Sequence, residues 1–181
     1  MKYLSVLILW LLTAVGGLYA GEPVYPLIEV EDGDTLLMEI DGAPVRIQLA
    51  AIDAPEAVPN PKLQRDLQRT RLPQGKLVAL GRAATAHLGS MVKQGDRLVL
   101  RGDLRRRDKY GRVAVEVFDA AGRSLNEAMV ADGFARLLAR APAETPLRSR
   151  LKAAQQRAMA AGRGLWGESG DEMRAWAGIS P

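Results

Sequence analysis

"RIQLAAIDAPE" (residues 46–56) is an apolar run that stops at Asp53, crosses Pro55 and ends on Glu56. It reads as a buried strand closed by two carboxylates three residues apart. Two explanations compete for that ending. Asp and Pro are frequent turn formers, and a turn belongs where a strand ends. Alternatively, the strand end is a site that needs an oxygen ligand for a metal and a separately held base.

The flanking sequence supplies the architecture. "YPLIEVE" (25–31), "TLLMEI" (35–40) and "PVRIQLAAI" (44–52) are short apolar runs, with "DGAP" (41–44) as a hairpin turn between the last two. From Gln74 to Met91, Leu77, Leu80, Ala84, Leu88 and Met91 recur at three- and four-residue steps, the period of an amphipathic helix. His87, the single histidine, flanks that stripe with no second ligand-type residue in helical register, which points to a structural or merely exposed role. "DRLVLRG" (96–102) and "RVAVEVF" (112–118) alternate as two further strands, and "DAAGR" (119–123) turns the chain after them. "SLNEAMVADG" (124–133) reads as a short helix capped by Ser124, with Glu127 three residues on and Gly133 past its end. A last helix starts at Thr145, with Pro146 in its first turn, and ends near Gly162, with Leu147, Leu151, Ala154 and Ala158 as its buried face. This order predicts an α+β fold, a five-stranded Greek-key barrel of the oligonucleotide-binding (OB) type with about three helices.

The chain has 181 residues, 48% hydrophobic and 25% charged, which suits one globular domain over 21–181. Residues 1–20 stand apart. Lys2, an apolar stretch from Tyr3 to Leu18 and small residues around Ala20 form a signal-peptide pattern. Gly16 and Gly17 weaken its far end as a membrane span, whereas the bulky Leu18 is unfavourable for cleavage, so a cleaved leader and an N-terminal anchor both stay open. Export to the periplasm or the medium is the first expectation, and a membrane tether the alternative. The chain lacks cysteine, so its stability must come from the core rather than from disulfides.

Charge is strongly segregated behind a net value of +4. From Glu22 to Glu56 there are nine acids against Arg46 alone, while 101–112 carries six positive and two negative charges and 62–71 four against one. An acidic pole beside basic flanks suits a cation site next to a polyanion track, and a solvated charged surface is the plainer account of each run.

Three stretches coincide with strand ends: "DGDT" (32–35), "IDAPE" (52–56) and "DKYGR" (108–112). Together with "LNEAMVADG" and "GRGLW" they resemble the staphylococcal nuclease (thermonuclease) family over about Val24 to Trp166. The resemblance implies Ca²⁺ as cofactor, with Asp34, Asp53 and the Ala54 carbonyl as ligands and Asp32 near the metal. It implies Glu56 as the base that activates water, Arg112 as the group on the scissile phosphate, and Lys109 and Tyr110 as phosphate contacts. The implied activity is calcium-dependent endonucleolytic hydrolysis of DNA or RNA to 3′-phosphorylated fragments. A monomer is expected, and no protein partner is readable.

Two positions depart from the family pattern. Gln48 stands where a second phosphate-binding arginine is usual, and Arg46, two residues back on the same strand face, is the nearest substitute. Ala139 and Ala141 stand where the family's best-studied members stack two tyrosines on a base. The stretch 57–75, with Lys62, Arg65, Arg69 and Arg71, is longer than the usual loop and reads either as a surface helix packed on Leu63 and Leu67 or as a substrate lid. Three functions follow: an exported nuclease with reduced activity, a catalytically impaired binding module on the same barrel, or a membrane-tethered interaction domain.

Overall fold

A computed structural model of the chain describes residues 21–138, 145–167 and 169–179. Residues 1–20, with the leader or anchor, and Ala139 and Ala141 lie outside the described residues. Five strands close into a barrel: β1 (Val24–Asp32), β2 (Thr35–Ile40), β3 (Ala43–Leu49), β5 (Arg97–Arg101) and β6 (Val113–Phe118). Their order around the barrel is β1-β2-β3-β6-β5, antiparallel except for the β3–β6 pair. This is the expected OB-type closure. The β2–β3 hairpin turns on Asp41 and Gly42, both at positive φ (51° and 76°), the geometry that matches strand twist in a two-residue loop.

Alternation places one face of each strand inside. Met38, Ile47, Leu49, Val113, Val115 and Val117 are all essentially inaccessible, and Ala84, Leu88, Leu125, Met129, Leu151 and Ala154 pack against them. Those last six come from three helices, α2 (Gln74–Met91), α3 (Leu125–Ala131) and α4 (Pro146–Ala160). The caps are those the sequence indicates: Ser124 accepts from the Glu127 amide and Thr145 from the Arg148 amide.

Two features correct the expected plan. The third apolar run is not one strand through Ile52. It leaves the barrel after Leu49, turns at Ala50 and Ala51, and continues as β4 (Ile52–Asp53), which pairs antiparallel with β7 (Arg136–Leu137). Ala51 holds φ 64°, a conformation costing a non-glycine residue about 1–2 kcal/mol. Tertiary hydrogen bonds hold the turn: the Asn126 amide donates to Ala50 O (3.0 Å), Ala50 N to Val115 O (2.9 Å) and Leu138 N to Ala51 O (2.9 Å).

Second, among the described residues five α-helices are present rather than about three. α1 (Pro61–Thr70) occupies the long 57–75 stretch, and α5 (Gly170–Ala177) follows a 3-10 turn at Gly164–Trp166. Both are stabilised by a second apolar cluster that includes Leu63, Leu77, Leu80, Trp166, Met173 and Trp176. Leu63 is buried and Leu67 partly buried, as the surface-helix reading of 57–75 requires. Among the described residues no helix is long and apolar enough to cross a membrane.

Candidate functional site

The turn between β1 and β2 presents Asp32 and Asp34. Asp32 Oδ1 accepts from the Asp34 amide (3.0 Å), which closes the turn. Asp34 is buried, and its oxygens accept from Thr35 Oγ1 (2.9 Å) and the Ala54 amide (3.0 Å), tying this turn to the segment after β4. Helix α2 fixes both segments by close approach. A Cβ on Gly33 would lie 2.7 Å from the Ala84 Cβ and 2.9 Å from the Ala54 Cβ, and one on Gly81 would strike the Glu56 carbonyl.

The kink at Ala51 gives Asp53 an unexpected partner. Opposite it across the β4–β7 pair is Arg136, whose Nε and Nη2 donate to Asp53 Oδ2 at 3.1 and 2.8 Å. Arg136 Nη1 donates to Ala177 O (2.6 Å), and its guanidinium lies 4.5 Å over the Trp176 ring. The other Asp53 oxygen faces Lys62. The Lys62 ammonium lies 3.1 Å from Asp53 Oδ1, 2.7 Å from Glu56 Oε1 and 3.0 Å from Ala54 O. Glu56 Oε2 accepts from Asn60 Nδ2, and Asn60 Oδ1 caps α1 by accepting from the Leu63 amide (2.8 Å). The start of α1 is thus fastened to Glu56.

Electrostatics follow from this packing. Burial, then the neighbouring Asp32 and Asp53 carboxylates, push the Asp34 carboxyl well above the usual aspartate range, against the opposing pull of Lys62 and the Ala54 amide. For Lys62, burial pulls the other way, yet the carboxylates of Asp53, Glu56 and Asp34 outweigh it and hold the ammonium well above the ordinary lysine range.

Beside this centre opens a cleft of about 290 Å³ lined by Asp32, Arg46, Glu56, Asn60, Pro61, Lys62, Arg65, Tyr110 and Arg112. It brings together Asp32, Arg46, Glu56, Tyr110 and Arg112 from the sequence-derived set. Asp108 Oδ2 accepts from Arg112 Nε (2.9 Å) and lies 2.9 Å from Nη2, while Asp108 Oδ1 accepts from the Tyr110 and Arg112 amides. The "DKYGR" turn therefore orients Arg112. Tyr110 is exposed on the rim, with Lys109 Nζ 4.9 Å from its ring centroid. Arg46 is paired with Glu31 (2.6 Å) rather than leaning toward Gln48, whose Oε1 is buried without a hydrogen-bond partner among the described residues. His87 lies outside the cleft, bonded to Asp132 (2.9 Å) and stacked on Phe134, a structural histidine.

The residues missed by sequence reading as parts of the centre are Asn60, Lys62, Arg65 and Arg136. Asn60-Pro61 is the same cap-then-proline signal as Thr145-Pro146, and Lys62, Arg65, Asp66 and Arg69 form one charged helical stripe. Arg136 carries no local signal, because its pairing depends on the kink at Ala51.

By donor type, Asp34, Asp53 and the Ala54 carbonyl suit calcium, a hard cation that takes six to eight oxygens. By arrangement they do not. Lys62 lies among those oxygens, Arg136 takes the far side of Asp53, and no group of three or more His, Cys, Asp or Glu among the described residues is placed to hold a metal ion.

The fold and the site define an OB-fold protein with an acidic centre at strand ends and a basic cleft beside it. A model of the family described as Staphylococcal nuclease homologue matches residues 46–168, and the chain belongs to that family. It is 29% identical over 149 residues to the thermonuclease of Staphylococcus hyicus, covering 81% of this chain and 78% of that protein. It is 28% identical over 110 residues to endonuclease YhcR of Bacillus subtilis (strain 168), covering 59% of this chain and 8% of that much longer protein.

Proposed function

We propose that the protein is a nuclease that hydrolyses phosphodiester bonds of DNA or RNA in the cleft beside Glu56. The observation that carries this reading is that a carboxylate, Glu56, and four cations, Arg46, Lys62, Arg65 and Arg112, line one cleft. The nuclease names of the two relatives support it. Arg112 is held through Nε and Nη2, which leaves Nη1 without a partner among the described residues and able to reach a phosphate oxygen. In the reaction, Glu56 takes a proton from water, the water oxygen bonds to phosphorus, and the bond to the leaving 5′ oxygen breaks. Charge building on the phosphoryl oxygens meets Arg112 Nη1 and the Lys62 point charge. The 3′-phosphorylated ends are those the resemblance implies.

Calcium, the cofactor implied by the resemblance, has no place in these steps while Lys62 lies among its donors. The leader pattern of residues 1–20 supports action outside the cytoplasm, and N-terminal sequencing of the exported protein tests it: a start near residue 21 is expected, and a retained Met1 means an anchor.

One observation favours a second reading, a nucleic-acid-binding module with little catalysis. Both Glu56 oxygens are already engaged, by Lys62 and by Asn60. Incubating the full-length chain with single- and double-stranded DNA and with RNA separates the two. Cleavage that falls by about 10²-fold or more in Glu56→Gln supports the nuclease. Cleavage indifferent to that change refutes the role of Glu56, and salt-dependent binding without cleavage establishes the module.

A further inference from the structure

An ammonium group has three N–H donors and no acceptor. Lys62 has three oxygens within 3.1 Å: Asp53 Oδ1, Ala54 O and Glu56 Oε1. Donors and acceptors match one to one, and two of those oxygens are ones the family resemblance assigns to calcium. We propose that Lys62 is the resident cation of this carboxylate centre, so that a divalent ion binds there only by displacing it. The inference rests on reading the Asp53–Glu56 segment as the reactive centre.

Several features build the lysine into place. Asn60 caps α1 and holds Glu56 with the same side chain, and Pro61 pre-sets the first turn, so the backbone of Lys62 is fixed relative to its partners. Leu63, the next residue, anchors the adjoining face of the helix in the apolar cluster with Trp176. The Trp176 ring lies 5.5 Å from the ammonium, and its indole N–H donates to Asp66 Oδ2 (3.0 Å), one turn along α1. Arg136 meanwhile takes Asp53 Oδ2, so neither Asp53 oxygen is left for a metal.

Sharing the centre is excluded by distance and charge. Calcium binds oxygen at about 2.3–2.6 Å, so an ion on Asp53 Oδ1 and Ala54 O would lie in contact with an ammonium already 3.1 and 3.0 Å from the same atoms. Lys62 and Arg136 offset two of the four carboxylates, Asp32, Asp34, Asp53 and Glu56, which halves the negative charge on offer to a dication. Displacement is sterically open. The Lys62 side chain is 32% exposed and its four-carbon stem can swing toward the cleft.

Calorimetric titration of CaCl₂ into the full-length chain, and into Lys62→Met and Lys62→Gln, tests this without reference to cleavage, so it stands or falls separately from the nuclease reading. Methionine keeps the stem length, and glutamine keeps a donor for the carboxylates should methionine fail to fold. The expected result is no saturable binding below about 1 mM in wild type. A folded Lys62 variant then binds at least about 100-fold more tightly, as removal of a unit charge a few ångströms from the ion demands. Wild type and variant binding calcium equally well overturns the proposal. Absence of binding in all three also overturns it, because Lys62 would then not be what keeps the ion out.

Discussion

Asp53 is held from both sides, and removing one holder gives a stability change that can be worked out beforehand. Its side chain is 9% exposed and that of Arg136 22%, so the pair is poorly screened by solvent. Breaking a buried pair by deleting one partner typically costs about 3–5 kcal/mol, because the other charge is left uncompensated. Here Asp53 retains Lys62 on Oδ1, so Arg136→Met should fall below that range, at about 2–3 kcal/mol. Methionine keeps an apolar stem against Trp176 but loses the bonds to Asp53 Oδ2 and to Ala177 O. In urea the slope should be unchanged and the midpoint should fall by about 0.7–3 M, given slopes of about 1–3 kcal/mol per molar for small domains. Arg123→Met is an internal control. Arg123 pairs with Asp119 at 3.0 Å but is half exposed, and its loss should cost about 0.5 kcal/mol or less. If Arg136→Met costs no more than the control, the view that Asp53 is a buried charge needing both partners is wrong.

Arg112→Lys replaces a fork held by Asp108 with a point charge, and should lower kcat/KM by about 10²- to 10³-fold on any substrate the wild type cleaves. An effect under threefold would remove Arg112 from the reacting phosphate. Gln48→Arg restores the charge that the resemblance places on β3 and should raise kcat/KM by up to about 10²-fold. An unchanged rate would show that Arg46 or Arg65, already in the cleft, fills that role. Asp34 gives a pH test: its raised carboxyl binds a proton more tightly folded than unfolded, so it favours folding most below about pH 4 and loses that advantage as pH rises through the raised value. Thermal melts of Asp34→Asn should therefore gain on wild type between about pH 4 and 8, and a difference flat across that range would refute the burial argument.

The barrel was legible because strand alternation and helix period are local signals. Ile47 and Leu49, or Leu77, Leu80, Ala84 and Leu88, announce which way they face from spacing alone. The caps at Ser124 and Thr145 were legible for the same reason. The break at Ala51 was not, since an alanine at positive φ has no sequence signature and this one is held by Asn126, distant in sequence. That single break changes the site. It swings Asp53 out of the barrel ladder and across from Arg136, so the carboxylate could be placed from sequence while its partner could not. Lys62 was visible as a charge on a long stretch, and the surface-helix reading of that stretch holds for Leu63 and Leu67. What alternation and period cannot supply is the direction of the other face, which here turns Lys62 and Arg65 into the cleft.

The site thus divides by origin. Its acids come from barrel turns, Asp34 before β2 and Asp53 and Glu56 after β3, positions fixed by the contacts of α2 at Gly33 and Gly81. Two of its cations, Lys62 and Arg65, come from α1, which the barrel does not require for closure. The brace on that helix comes from α5, which lies beyond the matched stretch of 46–168. Arg69 donates to Ala175 O and Trp176 O, Trp176 donates to Asp66, and the same indole ring faces both Lys62 and Arg136. Those contacts join α1, β7 and α5, so the positive charge around Asp53 depends on the packing of these three elements, while Asp34 is held by the barrel turn and α2. Substitutions in α5 should consequently act on the centre through Lys62 and Arg136, leaving the position of Asp34 unchanged.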